Sequence, residues 1–297
     1  MRYRSFPPGR GHLKIPLDSK QAVRAGLAMY APCRPKGRLA RTLSWRVVGV
    51  LGPWALPGRT GDWSPPMDDE TWSALGTAWA GSGISFDGLV VHERLQASRT
   101  GFTLMLLKAG DPVAFAKLRD GDGTTIETEF RALDAMSAYG PRTFSVPSPL
   151  AVGEVMGWHY VLTTAFVPQL HRVPKAPRLD AITDEIRQGL DALERSATVD
   201  EGWEPMHGDF TPWNLRQRRD GTLFLVDWED AGWGPPGADQ VMYRATVAQL
   251  ARQQATLGTA SPEARRFWSD RLRLRSMNAA SDRDAALREE LLRLLDA

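Results

Sequence analysis

His207-Gly208-Asp209-Phe210-Thr211-Pro212-Trp213-Asn214, followed after a short run by Thr222-Leu223-Phe224-Leu225-Val226-Asp227, is the stretch whose reading decides the fold. Between its halves lies Asp220-Gly221, a dipeptide that supplies the positive φ a tight hairpin needs. A turn centred on those two residues pairs 219 with 222 and 218 with 223, and continues outward until Asn214 faces Asp227. A side-chain amide and a carboxylate meeting at the open end of such a ladder make a compact, oxygen-rich place for a hard cation such as Mg²⁺. Asp209 stands five residues before Asn214 in a loop, where its carboxylate can face a hydroxyl group. An ordinary hairpin with polar ends has any one of these features, but all of them in this order argue for a site.

The bulk composition sets the frame. A chain of 297 residues, 42% of them hydrophobic, can bury a sizeable core and suggests two domains or lobes. Cys33 is the single cysteine, which excludes an intrachain disulfide or a cysteine zinc cluster and fits a reducing cytoplasm. The histidines at 12, 92, 159, 171 and 207 show no paired metal spacing. There is no run of about 18 apolar residues, and Met1-Arg2-Tyr3-Arg4-Ser5-Phe6-Pro7-Pro8 lacks a secretory apolar core. The expected location is cytoplasmic, with a peripheral position at the inner membrane as the variant. Net charge is +2, yet residues 1–60 hold 12 Lys or Arg against Asp18 alone, a net of +11, while the remaining 237 carry 25 basic and 34 acidic residues, a net of −9. Such a basic arm suits phosphate, an anionic membrane surface or nucleic acid, or it simply packs on the acidic part of its own chain.

Residues 1–85 are rich in Pro and Gly and read as a basic N-terminal extension with one helical stripe: Leu39, Leu43, Val47, Val50 or Leu51, and Trp54, interspersed with Arg38, Arg41 and Arg46. The stripe is expected to dock on the body of the protein, with membrane contact as the alternative. Nucleic-acid binding is disfavoured, since no reader fold is recognisable. From 86 the pattern turns to strands: 89–95, 102–108 and 113–118, then 148–152 and 158–167. Alternation puts Val113, Phe115 and Lys117 on one face. A strand-end lysine of this kind ordinarily reaches solvent. Thr124 and Glu127 then have capping-box spacing, and the helix they open presents Ile126, Phe130, Leu133 and Met136 on one face before Gly140-Pro141. Glu129 sits at that apolar face and needs a cation, for which Lys117 on the preceding strand is the natural candidate. Helices are expected over 179–194, 240–254, from Ser261-Pro262 onward, and over 281–295.

His207, Gly208, Asp209, four residues, Asn214 and a strand ending in Asp227 resemble the signature of the aminoglycoside phosphotransferase and choline kinase superfamily, the small-molecule relatives of protein kinases. The resemblance implies an α+β, bilobal protein-kinase-like fold with an antiparallel-sheet N-lobe and a mainly helical C-lobe, here 86–166 and 167–297 after the extension of 1–85. It implies Asp209 as the catalytic base, Asn214 and Asp227 as Mg²⁺ ligands, and Asp239 as a brace of the catalytic loop. It also makes Lys117 the lysine that holds the nucleotide phosphates, positioned by Glu129. The connector after the last N-lobe strand would be the hinge, with Thr164 and Phe166 at the purine edge. The loop from Gln96 to Gly101 has one glycine only, so Ser98 or Arg99 must take part of the phosphate contact. Phe115, two before the lysine, leaves ATP or GTP open as the nucleoside triphosphate.

The implied activity is transfer of the γ-phosphoryl group to a small-molecule or glycan hydroxyl. The alternatives are a kinase on a sugar, glycan or lipid-linked acceptor at the inner membrane surface, and a nucleotide-binding pseudokinase or adaptor without turnover. Gly208 stands where protein kinases carry an arginine, which disfavours a protein-kinase role. About forty residues separate hinge and catalytic loop, and no acidic cluster suited to a polycationic antibiotic is recognisable. Glu229 could assist Mg²⁺ or be a solvated loop acid, and the second reading is preferred.

Overall fold

The structure is a computed structural model that describes residues 2–9, 11–93, 101–166, 168–195, 197, 199–252, 261–276 and 282–296. The described residues form two compact units, one from 2–93, 101–127 and 147–172, the other from 128–146 and 173–296. The fold is α+β.

The first unit is built on one antiparallel sheet of eight strands. These are β1 (Tyr3–Phe6), β2 (Leu13–Pro16), β3 (Arg59–Gly61), β4 (Gly88–Glu93), β5 (Gly101–Lys108), β6 (Asp111–Asp120), β7 (Pro149–Val155) and β8 (Trp158–Thr164), in the order β3-β1-β2-β4-β5-β6-β8-β7. The five strands expected after residue 86 are present. Residues read as part of an extension add three more, with β2 pairing directly to β4. Strands of three or four residues in Pro- and Gly-rich surroundings show too little alternation to be read from sequence.

Both faces of this sheet are covered. Leu89, Val91, Leu104, Leu106, Ala114, Ala116, Leu118 and Leu162 pack with Leu75 and Trp79 of α3 (Asp69–Gly81). Val90, Met105 and Leu107 share a second cluster with Ala22, Val23 and Leu27 of α1 (Lys20–Met29) and Val48 of α2 (Pro35–Leu51). Burial on both sides is why Leu104-Met105-Leu106-Leu107 is an unbroken apolar run instead of an alternating one.

The docking expected of the apolar stripe is overturned. α2 packs through Arg41, Ser44 and Val48, while Leu39, Leu43, Val47, Val50, Leu51 and Trp54 are exposed. Arg41 can lie inside because its guanidinium donates to the Tyr30 carbonyl at 2.6 Å and to the His171 carbonyl, so its polar groups are satisfied there.

In the second unit, α4 (Thr124–Tyr139), whose first residues belong to the first unit, contributes Ala132, Leu133 and Met136 to a core with Ile182 and Ile186 of α5 (Leu179–Gly189), Phe210, Leu215, Leu225, Trp228 and Tyr243. Thr124 is inside α4 and not its cap. Gly123 precedes the helix, its carbonyl accepting from the Ile126 N–H at 2.9 Å and the Glu127 N–H at 3.0 Å, while Asp122 accepts from the Thr124 hydroxyl and from the Thr124 N–H at 2.9 Å, two bonds that lower its pKa. A further core joins α6 (Ala238–Ala251), α7 (Pro262–Ser276) and α8 (Asp282–Asp296). Ser261 Oγ accepts from the Ala264 N–H at 3.1 Å, as its cap position requires.

Candidate active site

Two short ribbons bracket the decisive stretch. β9 (Glu204–Met206) pairs with β12 (Gly232–Gly234), and β10 (Leu215–Gln217) pairs with β11 (Leu223–Leu225). The chain leaves β9, runs through 207–214 to β10, turns, and returns from β11 through 226–231 to β12. Both connecting loops therefore span the same two ribbons and lie against each other. Gly208 marks the contact: its φ is +78°, and a Cβ there would stand 1.8 Å from the Asp230 carbonyl oxygen. That excludes the arginine of protein kinases by geometry. Replacing Gly208 with Ala is expected to lower stability by about 2–3 kcal/mol, through the left-handed backbone and the displaced Asp230 carbonyl. Thermal melting checks this.

The turn register differs from the expected one by one residue. Leu215 pairs with Leu225 and Gln217 with Leu223, so Asn214 stands opposite Val226, whose N–H donates to the Asn214 carbonyl at 3.3 Å. The cause lies in the turn. Asp220 accepts from the Thr222 N–H at 2.9 Å, Gly221 takes φ +94°, and the Arg218 N–H bonds the Thr222 carbonyl at 2.9 Å, which closes a three-residue loop instead of a two-residue one. Asp227 then follows one residue beyond the pair at φ 69°, a left-handed turn that redirects its side chain.

The loop of 207–214 is fixed from several sides. Asn214 Nδ2 donates to the Asp209 carbonyl at 2.9 Å and to Asp209 Oδ2 at 2.8 Å, which orients that carboxylate and uses both hydrogens of the amide. The buried His207 ring accepts from the Asp209 N–H at Nδ1, 3.2 Å, and bonds the Val226 carbonyl through Nε2, 3.1 Å, so one neutral tautomer satisfies both. Trp228 lies against it with ring centroids 4.5 Å apart. Asp239 accepts from the His207 N–H at 2.7 Å and the Gly208 N–H at 3.2 Å, the bracing expected of it. Burial pushes its carboxyl up to about 7, against the pull of those two donors. Arg216 was not singled out from sequence. It is buried and donates to the Pro212 carbonyl at 3.1 Å, holding the same loop from beneath.

Glu229 is not a solvated loop acid: it is buried. Carboxylate oxygens of Glu129, Asp227 and Glu229 all lie within 4.8 Å of one another. Three carboxylates so close repel unless positive charge joins them, and hard oxygen donors in this number fit a divalent cation such as Mg²⁺. The only sequence signal for Glu229 was its place two residues after Asp227, beyond the fully buried Trp228.

In the first unit, Lys117 lies on β6 opposite Thr103 of β5 and Val161 of β8. It is only 8% exposed, so it does not run out to solvent. Its neighbours Ala116 and Leu118 point to the opposite face, into the α3 core. Thr164 ends β8, where its N–H donates to the Ser148 carbonyl at 2.9 Å and its Oγ1 accepts from the Ser148 N–H at 2.9 Å. These two groups are thereby used inside the sheet, and Ala165 and Phe166 follow beyond the strand. Ser98 and Arg99 lie outside the described residues.

Residues 164–268 match the model of a family described as the phosphotransferase enzyme family. That span includes His207, Asp209, Asn214, Asp227 and Asp239. No curated protein matches the chain. Among solved structures, the GDP complex of a mutant aminoglycoside 2'-phosphotransferase-IIIa is similar at 13% identity, covering 77% of this chain and 96% of that one, with a TM-score of 0.50. A thermostable mutant of aminoglycoside phosphotransferase APH(4)-Ia, in ternary complex with ADP and hygromycin B, is similar at 12% identity over 75% and 98%, with a TM-score of 0.47. At this identity the first likeness is one of fold. The family match spans about a third of the chain, and it falls on the stretch that carries the signature residues, so this part of the chain is similar to phosphotransferases. No helix among the described residues is long and apolar enough to cross a membrane.

Proposed function

We propose that the protein transfers the γ-phosphoryl group of ATP or GTP to a hydroxyl of a small molecule, with Asp209 as the base and Asn214 and Asp227 as Mg²⁺ ligands. The observation that supports this reading is the pair of hydrogen bonds from Asn214 Nδ2 to Asp209, which would orient the base and leave the amide oxygen for the metal. A bound Mg²⁺ would supply charge neutralisation at the phosphates. Asn214 Oδ1 and the Asp227 carboxylate would hold it, and the nearby carboxylates of Glu129 and Glu229 add to the negative charge that attracts it. Asp209 aligns the acceptor hydroxyl and takes its proton as the new oxygen–phosphorus bond forms and the bond to the β-phosphate oxygen breaks. Lys117 draws charge from the α and β phosphates, with Glu129 as its positioning carboxylate. Thr164 and Phe166 mark the hinge, at which the purine would bond through backbone groups not already used in the sheet.

A phosphate-transfer screen across aminoglycosides, sugars, amino alcohols, glycans and nucleosides, with ATP and GTP as donors, tests the reading. Asp209→Ala is expected to transfer at least about 10²-fold more slowly than the unaltered protein on any acceptor found. Equal rates for the two proteins would remove Asp209 from the chemistry. Metal-independent nucleotide binding without transfer to any acceptor would favour the pseudokinase alternative.

A further inference from the structure

Among the described residues, fifteen large hydrophobic side chains are left exposed, and six of them, Leu39, Leu43, Val47, Val50, Leu51 and Trp54, fall within sixteen consecutive residues. They form the outer face of α2 and the turn that follows it. This is not a helix rotated by chance. Its inner face is pinned by Arg41 on the carbonyls of Tyr30 and His171, by Val48 in the α1 core, by Lys20 donating to the Gly49 carbonyl at 3.3 Å, and by the Arg24 guanidinium 5.6 Å over the Trp45 ring. Turning the leucines inward would carry Arg41 out to solvent and take its guanidinium away from the Tyr30 and His171 carbonyls.

We propose that this outer face of α2 is a docking surface for an anionic lipid membrane, lying in the plane of the interface. A helix of 17 residues spans about 25 Å, enough for several apolar side chains to enter the acyl boundary together. Arg34, Lys36 and Arg46 are exposed on the same helix or at its start, Arg38 is half-buried, and the Arg2 guanidinium lies 5.9 Å from the Trp54 ring centroid. Trp54 at the end of the row has the amphipathic ring that favours the headgroup level. Charge separates the candidate occupants. A second copy docked face to face on this surface would bring together two segments of net +11 each, which repel, whereas anionic headgroups attract every one of these cations. Nucleic acid would attract the cations but has no use for a leucine and valine row.

The test uses the full chain and sedimentation with vesicles of phosphatidylglycerol and phosphatidylcholine in equal parts, against phosphatidylcholine alone, and does not depend on the acceptor or on turnover. Binding to the mixed vesicles is expected to be at least about tenfold tighter than to the neutral ones, and to fall at least about tenfold between low and high salt. The paired variant Leu43→Glu with Val47→Glu should bind mixed vesicles at least about tenfold more weakly with an unchanged melting temperature, because both side chains already face water. Arg34→Gln with Arg46→Gln should weaken binding and flatten its salt dependence. The proposal is overturned if the protein stays in the supernatant with mixed vesicles, pellets equally with neutral ones, or pellets unchanged in the paired Glu variant. A dimer that the Glu pair dissolves, in protein that ignores vesicles, would give the face to a second copy. Retention by nucleic acid without vesicle binding would overturn it in the same way.

Discussion

Replacing Asp227 with Ala is expected to slow metal-dependent phosphate transfer by roughly 10³- to 10⁴-fold, the rate equivalent of losing several kcal/mol of charge stabilisation at the phosphates. The loss should come from chemistry and not from unfolding. Asp227 is half-exposed and outside the β10–β11 ladder, so its removal opens no core. Its backbone nevertheless has φ 69°, where alanine is strained by about 1–2 kcal/mol and asparagine is tolerated. Asp227→Asn is therefore the informative companion: it keeps the shape and the left-handed turn but removes the charge, and its turnover should fall nearly as far. The measurements are initial rates against Mg²⁺ concentration, with melting temperature as the fold control. Turnover unchanged in Asp227→Asn would mean that the carboxylate holds no metal the reaction needs.

The second large effect concerns Asp239. Replacing it with Ala leaves the His207 and Gly208 N–H groups buried without their acceptor, at about 1–3 kcal/mol each, for a total of roughly 3–5 kcal/mol. The same burial gives a pH dependence whose sign follows from proton binding. An unfolded carboxyl releases its proton near 3.8, whereas the folded one keeps it to about 7. Between those values the folded state binds more protons than the unfolded state, so stability from this group is complete below about pH 4 and is lost as pH rises to 7. The full span is about 4 kcal/mol. Melting temperature measured from pH 4 to 8 should show this decline, and Asp239→Asn, which does not titrate, should flatten it. A wild-type profile that instead rises over this range with an unaltered slope in Asp239→Asn would mean that the two N–H donors outweigh burial and keep the carboxylate ionised.

What could be read in advance was the local, short-range part of the site. His207-Gly208-Asp209 and Asn214 sit within eight residues, and a contact such as Asn214 to Asp209 is made by neighbours in one loop. The Asp220-Gly221 turn was legible too, but its register was not: a single side-chain bond from Asp220 to the Thr222 N–H adds a residue to the loop and moves Asp227 off the pairing with Asn214. Glu229 shows the limit of pattern reading. Nothing in its own stretch separates a buried acid from a solvated one, since its burial comes from what packs around it. The apolar stripe of α2 misled for the same reason, because periodicity reports that a helix has two faces and not which face turns inward.

The sequence by itself carried the signature, an acid, an amide and a second acid in order along one loop–hairpin–loop, that resembles small-molecule kinases and leads to the proposed phosphoryl transfer. It also determined the strand alternation that sends Lys117 and Ala116 to opposite faces of β6. Only the tertiary structure decided that residues before 62 complete the sheet, that Glu129 and Glu229 gather at Asp227, and that α2 buries Arg41 and exposes its leucines. The physical reason is one of range. Turn, cap and strand preferences act over a few residues and can be read there, whereas burial of a charge depends on carbonyls and carboxylates supplied from up to 130 positions away, as with His171 for Arg41.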